Sequence, residues 1–312
     1  MVSEYIGKPY NYSVEVYTVA ELTADRLDHA EHYYKAKSSY YHFLYASKPL
    51  TDMFGPMPVD EFGPSCLRAV RDEYVAHGYC RAVCNRYTRS IVQMFKWGVS
   101  HELVASATWQ TLSTVEPLVR GKTTAKDYDA KKPVSWEDVK EVIDESNPEI
   151  ADMIQLQWNT GARSQNICTI SREEIDRESD PWVWEPKVHK TIHAGKTLKM
   201  FLGPQSQELL IPRLLKEPFF VNRRGNAYVP DMYRHNILAA IDRINERRTE
   251  KGVAPMPRWT PHQLRHARAT LIREKYGIEA AQMILGHSDL KTTQIYAEPS
   301  FDLARRIASS DG

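Results

Sequence analysis

The stretch Leu285-Gly-His-Ser-Asp-Leu-Lys-Thr-Thr-Gln-Ile-Tyr296 decides how this chain of 312 residues is assigned to a fold. Gly286 predicts the end of one helix. Ser288 or Asp289 can cap a short second helix, which places Tyr296 about two turns later. A lone tyrosine at such a place is most often a core residue. Whether Tyr296 is a core residue or a functional residue therefore depends on the polar residues that precede it along the chain.

A second polar segment, Pro261-His-Gln-Leu-Arg-His266, lies just upstream. Pro261 predicts the start of a helix, because the first turn leaves its N–H groups unpaired and tolerates a proline. His262 and Arg265 are three residues apart and therefore share one face of that helix. A His/Arg pair on one face indicates a site for an anionic ligand. A surface pair without a ligand is the alternative for the same spacing.

Two further segments supply cationic side chains. Thr160-Gly-Ala-Arg163 ends a helix-like stretch, where a glycine near the arginine can present the guanidinium to a cleft. Lys190-Thr-Ile-His-Ala-Gly-Lys196 contains the predicted turn of a β-hairpin with strands Trp182–Lys190 and Lys196–Leu202. An ammonium at such a turn becomes a usable acid when it is desolvated. Taken one at a time, an ordinary surface arginine and exposed turn lysines are the simpler interpretation.

These residue types are the ones that metal-free cleavage of a phosphodiester requires. The reaction needs a nucleophile, fixed positive charge beside the nonbridging oxygens, an acid for the leaving oxygen and hydrogen bonds to the pentavalent state. A guanidinium matches two phosphate oxygens and stays protonated. A free tyrosine titrates at about pH 10, so an attacking phenol needs a base or strong local positive charge. The four segments could together supply these parts.

In order and spacing, the four segments resemble the catalytic domain of the tyrosine recombinase (phage integrase) family. The family pattern is Thr-Gly-x-Arg, a hairpin lysine, His-x-Leu-Arg-His and Leu-Gly-His, with a tyrosine nine residues after that last histidine. The matching positions here are Thr160 to Arg163, Lys190, His262 to His266, Leu285 to His287, and Tyr296. The N-terminal half is also similar, more loosely, to the helical core-binding domain of integrases.

The resemblance implies a covalent mechanism. Tyr296 would attack a scissile phosphate and leave a 3′-phosphotyrosine and a free 5′-hydroxyl. Arg163 and Arg265 would hold the nonbridging oxygens, and His287 would hydrogen-bond the phosphate. Because the phosphotyrosine ester keeps the energy of the broken bond, the resemblance implies that neither ATP nor a metal nor another cofactor is required.

The resemblance also assigns the proton transfers. Lys190 would protonate the departing 5′-oxygen, and Lys196 is a lesser candidate for this acid because the register of the hairpin is open. His262 would assist proton transfer at the tyrosine.

Two positions depart from the family pattern. The family commonly has an acidic residue three positions after the first arginine, and here that residue is Asn166. An amide can hydrogen-bond but cannot neutralise, so the positioning of Arg163 is in question. The family's frequent arginine on the second hairpin strand is replaced by Leu198, with Lys199 beside it.

The chain is predicted to be mainly α-helical, with a small β-sheet or hairpin in its C-terminal domain. Residues 1–118 are interpreted as a helical core-binding (DNA-binding) domain, 119–133 as a linker and 134–312 as the catalytic domain. Ser135 predicts the start of a helix, with Asp138 in its first turn. Helices of the first domain are expected near Thr23–Tyr45, Ser65–His77 and Arg81–Val99, with a loop from Pro49 to Pro64.

One of these helices carries a candidate DNA-binding face. Arg86, Arg89, Gln93 and Lys96 form a stripe opposite the apolar side of Arg81–Val99 and could meet phosphates. Lys122 is added from the linker, in which five of fifteen residues are lysine or arginine. A solvated helix face is the alternative for this pattern.

The overall composition neither indicates nor excludes DNA binding. The chain has 41 Lys+Arg against 40 Asp+Glu and a formal net charge of +1, so binding depends on the local arrangement of charge. No apolar run of about 18 residues predicts a membrane span, and the first ten residues do not look like a secretory signal. Four cysteines without a paired framework favour a reducing cytoplasm. A zinc site at His77, Cys80 and Cys84 is the weaker alternative to chance spacing.

The expected partner is double-stranded DNA, bound by a homotetramer on paired DNA sites, with no membrane involved. The tail Phe301–Ile307 has apolar residues at helical spacing and would dock on a neighbouring protomer or, as the alternative, on its own domain. Two other functions stay open. One is a type IB topoisomerase-like activity, which uses the same chemistry without strand exchange. The other is a DNA-binding protein that has lost catalysis.

Overall fold

Helices dominate both halves of the chain in this computed structural model, which describes residues 16–34, 38–129, 131–187 and 197–286. The chain divides into two units, Met1–Ala130 and Lys131–Gly312. The predicted fold class, mainly α with a small sheet in the C-terminal part, is confirmed. Within the described ranges, no helix is long and apolar enough to cross a membrane.

The first unit is a set of helices around one apolar core. Its described helices are α1 (Val19–Tyr34), α2 (Ser38–Phe54), α3 (Pro64–Ala76), α4 (Arg81–Ser100) and α5 (Ser106–Leu112). The longest, α4, buries Tyr87, Ile91, Met94 and Phe95 at helical spacing, as its sequence predicts. Phe62 stacks on Phe95 with ring centroids 5.1 Å apart and closes the core from the loop side.

Two predicted boundaries in this unit are wrong. The segment expected as one helix, Thr23–Tyr45, is divided between α1, which ends at Tyr34, and α2, which begins at Ser38. The loop expected from Pro49 begins only after Phe54, because α2 continues through Pro49. Ala46 and Leu50 beside that proline are fully buried, so their burial offsets the hydrogen bond that Pro49 cannot donate.

The second unit combines helices with a three-stranded antiparallel sheet. Its described helices are α6 (Trp136–Glu145), α7 (Pro148–Thr160), α8 (Ser164–Thr169), α9 (Pro204–Leu210), α10 (Pro230–Glu250), α11 (Pro261–Tyr276) and α12 (Ile278–Leu285). The strands β1 (Ile175–Asp176), β2 (Trp182–Trp184) and β3 (Met200–Leu202) lie in the order β1-β2-β3. Trp184, Tyr233 and Trp259 are among the large, fully buried aromatic residues of this core.

Local sequence signals set the starts of the helices in this unit. Ser135 caps α6 by accepting a hydrogen bond from the Asp138 N–H at 3.1 Å, which confirms the predicted start. Thr260 and Gln263 form a capping box at α11, and Pro261 occupies the first helical position. Because this start is well determined, the side chains that follow on α11 have a defined direction.

The described part of the predicted hairpin pairs Trp182 with Leu202 and Trp184 with Met200. Side chains alternate along β3, since Met200 and Leu202 are buried and Phe201 between them is 53% exposed. Strand β1, which pairs with β2, was not predicted. The tip of the hairpin, with Lys190 and Lys196, lies outside the described residues.

Candidate functional site

Arg265 on α11 is the centre of the site, because its guanidinium connects three of the four sequence motifs. The residue is only 1% exposed. Its Nη1 donates to the carbonyl oxygen of Gly161 at 2.7 Å, and its Nη2 donates to the carbonyl oxygen of Leu285 at 2.7 Å. Such charge-assisted bonds offset the cost of burying a guanidinium. The segments at Thr160–Arg163, His262–His266 and Leu285–Gly286 therefore meet at one place.

Two glycines make this meeting possible. Gly161 ends α7 in the left-handed region with φ +67°, and its N–H donates to the Gln157 carbonyl at 2.8 Å. A Cβ at Gly161 would lie 2.8 Å from Leu285 Cδ2 and 3.1 Å from Arg268 Cγ. Close approach of α7, α11 and α12 thus requires a residue without a side chain.

Arg163 lies directly after the turn that Gly161 begins. It is the N-terminal capping residue of α8, and its side chain is half-buried. Among the described residues it forms no ion pair. Asn166, the residue in place of the family's acid, is on α8 and only 2% exposed. A buried amide therefore stands near Arg163 where a carboxylate was expected from the family pattern.

His262 is held in its neutral form by its surroundings. Desolvation, followed by the positive charges of His266, Arg265, Lys131 and Arg163, lowers the pKa of His262 to about 4. Part of the residue is exposed, and solvent there screens some of this effect. The downward direction alone leaves the imidazole neutral at pH 7, so that a ring nitrogen can accept a proton.

His266 accompanies His262 on the same helix. The two rings meet edge to face with centroids 5.1 Å apart. The sequence includes His266 only as part of the His-x-Leu-Arg-His motif, and its contact with His262 is a feature that the motif does not predict.

Three of the six proposed catalytic residues, Arg163, His262 and Arg265, lie within the described residues and belong to one region. Lys190, His287 and Tyr296 lie outside the described residues, as does Lys196.

The candidate DNA-binding stripe lies on the exposed side of α4. Arg86, Arg89, Gln93 and Lys96 are all exposed, and Lys122 is exposed as well. Lys96 Nζ lies 5.2 Å from the centre of the Trp109 ring, and Arg86 lies over Tyr87 at 5.8 Å. These aromatic contacts restrict the two cations without neutralising them.

Neither the thiols nor the surface groove beside α10 contributes to this site. Within the described ranges, no group of three or more His, Cys, Asp or Glu side chains could hold a metal ion, so His77, Cys80 and Cys84 do not form one. A groove of about 1070 Å³ between α6 and α10 is lined by residues such as Asn147, Asn222 and Arg224 and contains none of the candidate catalytic residues.

Comparisons with known proteins agree with the motifs. Tyrosine recombinase XerC of Bacillus subtilis is 31% identical over 187 residues, which are 56% of this chain and 58% of that protein. Tyrosine recombinase XerD of Ralstonia nicotianae is 27% identical over 234 residues, 72% of each chain. The first of these matches thus spans less than two thirds of the relative.

Solved structures share the fold. The Tn1549 transposon integrase in complex with transposon right end DNA superposes with a TM-score of 0.73 at 16% identity, covering 95% of this chain and all of that one. A lambda integrase tetramer bound to a Holliday junction gives a TM-score of 0.66 at 15% identity, covering 88% of this chain and 76% of that one.

A family model matches the part of the chain that holds every motif described above. The matched residues are 134–302, more than half of the sequence, and the model is that of the phage integrase family. The chain therefore belongs to the phage integrase family.

Proposed function

We propose that this protein is a site-specific DNA recombinase or integrase, which cleaves and rejoins DNA strands through a 3′-phosphotyrosine intermediate without metal or ATP. The observation that carries the proposal is the buried guanidinium of Arg265, hydrogen-bonded to the carbonyls of Gly161 and Leu285. That arrangement brings the Thr-Gly-x-Arg motif, the His-x-Leu-Arg-His motif and Leu285–Gly286 to one location, as binding of a single phosphate would require.

Arg163 and Arg265 are the proposed clamp for the nonbridging oxygens. A guanidinium has five N–H donors in one plane, and the two backbone bonds of Arg265 fix the orientation of that plane before DNA arrives. Positive charge held in advance stabilises the pentavalent state more than the ground state, because negative charge builds up there. His287 is the proposed further hydrogen-bond donor to the phosphate.

The proposed covalent step exchanges one phosphoester bond for another. The Tyr296 hydroxyl oxygen bonds to phosphorus as the bond from phosphorus to the 5′-oxygen breaks. The phenol proton goes to the neutral His262, and Lys190 gives a proton to the departing 5′-oxygen. Rejoining reverses these transfers, with a 5′-hydroxyl attacking the phosphotyrosine.

Double-stranded DNA is the proposed partner, bound as a homotetramer on paired sites. The exposed stripe of α4 and Lys122 are proposed to contact phosphates, and the tail Phe301–Ile307 to dock on a neighbouring protomer. One of the fold neighbours, a lambda integrase, is a tetramer on a Holliday junction. Gel filtration that finds no association on DNA at any concentration would contradict this assembly.

The test is to trap the protein on DNA. Nicked fragments from the genomic neighbourhood of its own gene are incubated with the protein, because a nick lets the short cleaved strand escape and leaves the covalent adduct. The expected result is a protein–DNA adduct at defined ends, which sequencing of the attached DNA identifies. Tyr296→Phe should bind the same DNA and form no adduct.

Other outcomes select other functions. Binding to a site without any covalent adduct of the wild-type protein would indicate a DNA-binding protein that has lost catalysis. Adducts and relaxation of supercoils at scattered sequences, without strand exchange between paired sites, would indicate a topoisomerase-like activity.

A further inference from the structure

Leu198 packs against the turn at Leu285–Gly286, which accepts a hydrogen bond from Arg265. The residue precedes β3 and is only 6% exposed. Gly286 ends α12 in the left-handed region with φ +62°, and a Cβ built on it would overlap Leu198 Cδ1. The leucine side chain therefore fills the place that any other residue at position 286 would need. In the family, this strand position is frequently an arginine.

The same turn supplies one of the two acceptors of Arg265. The Leu285 carbonyl oxygen, one residue before Gly286, accepts from Arg265 Nη2 at 2.7 Å. The other acceptor, the carbonyl of Gly161, belongs to a turn that is closed by its own N–H bond to Gln157. The Leu285 side chain is fully buried and lies against Gly161, whereas Leu198 packs against the turn at Gly286.

We propose that Leu198 is a positioning residue for Arg265, and that it acts by fixing the Leu285–Gly286 turn whose carbonyl orients the guanidinium. The proposal rests on the proposed function, in which Arg265 contacts the scissile phosphate. A van der Waals contact stands where members of the family frequently have a charged side chain on this strand. Loss of that contact lets the turn shift, and a displacement of about 1 Å at a catalytic group costs up to about 100-fold in rate.

The first experiment compares two leucines of the same strand segment. Leu198→Ala and Leu202→Ala remove the same atoms from the same core, and only Leu198 lies against Gly286. Single-turnover formation of the covalent adduct is measured on the trapped DNA site, with the unfolding midpoint measured beside it. Leu198→Ala should cleave about 10-fold more slowly than Leu202→Ala at a similar loss of stability. Equal rates in the two variants overturn the proposal.

The second experiment asks whether the defect passes through Arg265. A methylphosphonate at the scissile position replaces one nonbridging oxygen by methyl and removes the negative charge that Arg265 is proposed to neutralise. On this substrate, Arg265→Ala and Leu198→Ala should both come within about 3-fold of the wild type, because the lost function is no longer needed. Rescue of Arg265→Ala without rescue of Leu198→Ala overturns the positioning role alone. Failure to rescue Arg265→Ala overturns the proposed role of Arg265, and the positioning role with it.

A double-variant cycle tests the contact even where one single variant folds poorly. Gly286→Ala forces a methyl group into the Leu198 side chain, and Leu198→Ala vacates that space. The double variant should therefore be more stable and cleave at least about 5-fold faster than independent effects would allow. Simple additivity of the two substitutions overturns the proposal.

Discussion

At the scale of single residues, His262 shows how a cluster of cations keeps an imidazole neutral. Desolvation and the positive charges of neighbours such as His266 and Arg265 lower the pKa of His262 to about 4 in the folded chain, against about 6.5 for an unperturbed histidine. Between these two pH values, the His262 imidazole binds a proton in the unfolded chain and stays neutral in the folded chain. Stability therefore falls as the pH drops below about 6.5, and the loss ends once the folded state is protonated as well.

This behaviour gives a prediction for NMR. The His262 ring resonance, assigned by its disappearance in His262→Gln, should titrate with a midpoint below about 6.5. The variant should also keep more of its unfolding free energy than the wild type when the pH is lowered from about 7.5 to about 5. The reason is that glutamine at position 262 binds no proton in the unfolded state. A midpoint at or above the unperturbed value contradicts the environment described for His262.

Gly161 permits a second prediction at this scale, with a control built into the chain. Gly161→Ala places a methyl group 2.8 Å from Leu285 Cδ2 in a positive-φ conformation, whereas Gly225, with φ +77°, has nothing within 4 Å of a built Cβ. Backbone strain is common to both changes, and overlap in the core belongs to the first alone. We expect Gly225→Ala to cost about 1 kcal/mol and Gly161→Ala roughly 3 kcal/mol in urea unfolding. Equal losses of unfolding free energy in the two variants would show that the core around Gly161 accommodates a methyl group without overlap.

At the scale of elements, an ion pair joins the start of α7 to the turn after α9. Arg213 is 7% exposed and donates to both carboxylate oxygens of Glu149, at 3.0 and 3.1 Å, and to Asp152. Its guanidinium also lies 4.7 Å from the centre of the Phe220 ring. Since α7 ends at Gly161, this ion pair stabilises the helix that carries one of the two hydrogen-bond acceptors of Arg265.

Removing that arginine should therefore be costly. Arg213→Ala leaves two acidic groups without their partner, and we expect a loss of about 3 kcal/mol of unfolding free energy. The matched control is Arg258→Ala, whose pair with Asp242 at 3.0 Å is exposed on both sides and is expected to contribute less than about 1 kcal/mol. Calorimetry or urea titration of both variants decides between them, and similar losses would contradict the difference in burial.

Two helix starts of the second unit were predictable from the sequence, and long-range contacts were not. Ser135 and Pro261 predicted α6 and α11 because caps and first-turn prolines act within four residues of chain. The continuation of α2 through Pro49 was missed, since it depends on the burial of Leu50 in a core formed by distant residues. Helix caps and first-turn prolines can be identified from the sequence, whereas the long-range packing that overrides such local signals cannot.

The same division holds for the candidate site. Motif order predicted that Arg163, His262 and Arg265 belong together. The acceptors of Arg265 are backbone carbonyls, which every residue carries and no sequence pattern marks. The contact of Leu198 with Gly286 was not predicted, because it spans nearly ninety residues of chain.

At the scale of the whole molecule, the near-neutral charge has to be reconciled with DNA as the proposed partner. A net charge of +1 gives little long-range attraction to a polyanion. Phosphate affinity must then come from cations that face one way and are not paired with carboxylates. Arg89 and Lys96 on α4 meet that description, because both are exposed and, within the described residues, neither forms an ion pair.

The salt dependence of binding tests this arrangement. Each phosphate contact releases about one counterion, so Arg89→Ala and Lys96→Ala should each weaken binding to the trapped DNA site and reduce the slope of log K against log salt by about 1. Lys48→Ala is the control, since Lys48 is equally exposed on α2 and already paired with Asp52 at 3.1 Å. The control should leave both the affinity and the slope within error of the wild type. Unchanged slopes for Arg89→Ala and Lys96→Ala, measured by fluorescence anisotropy over a range of salt concentrations, would remove the α4 stripe from the DNA interface and leave the affinity to be explained by other cations of the chain.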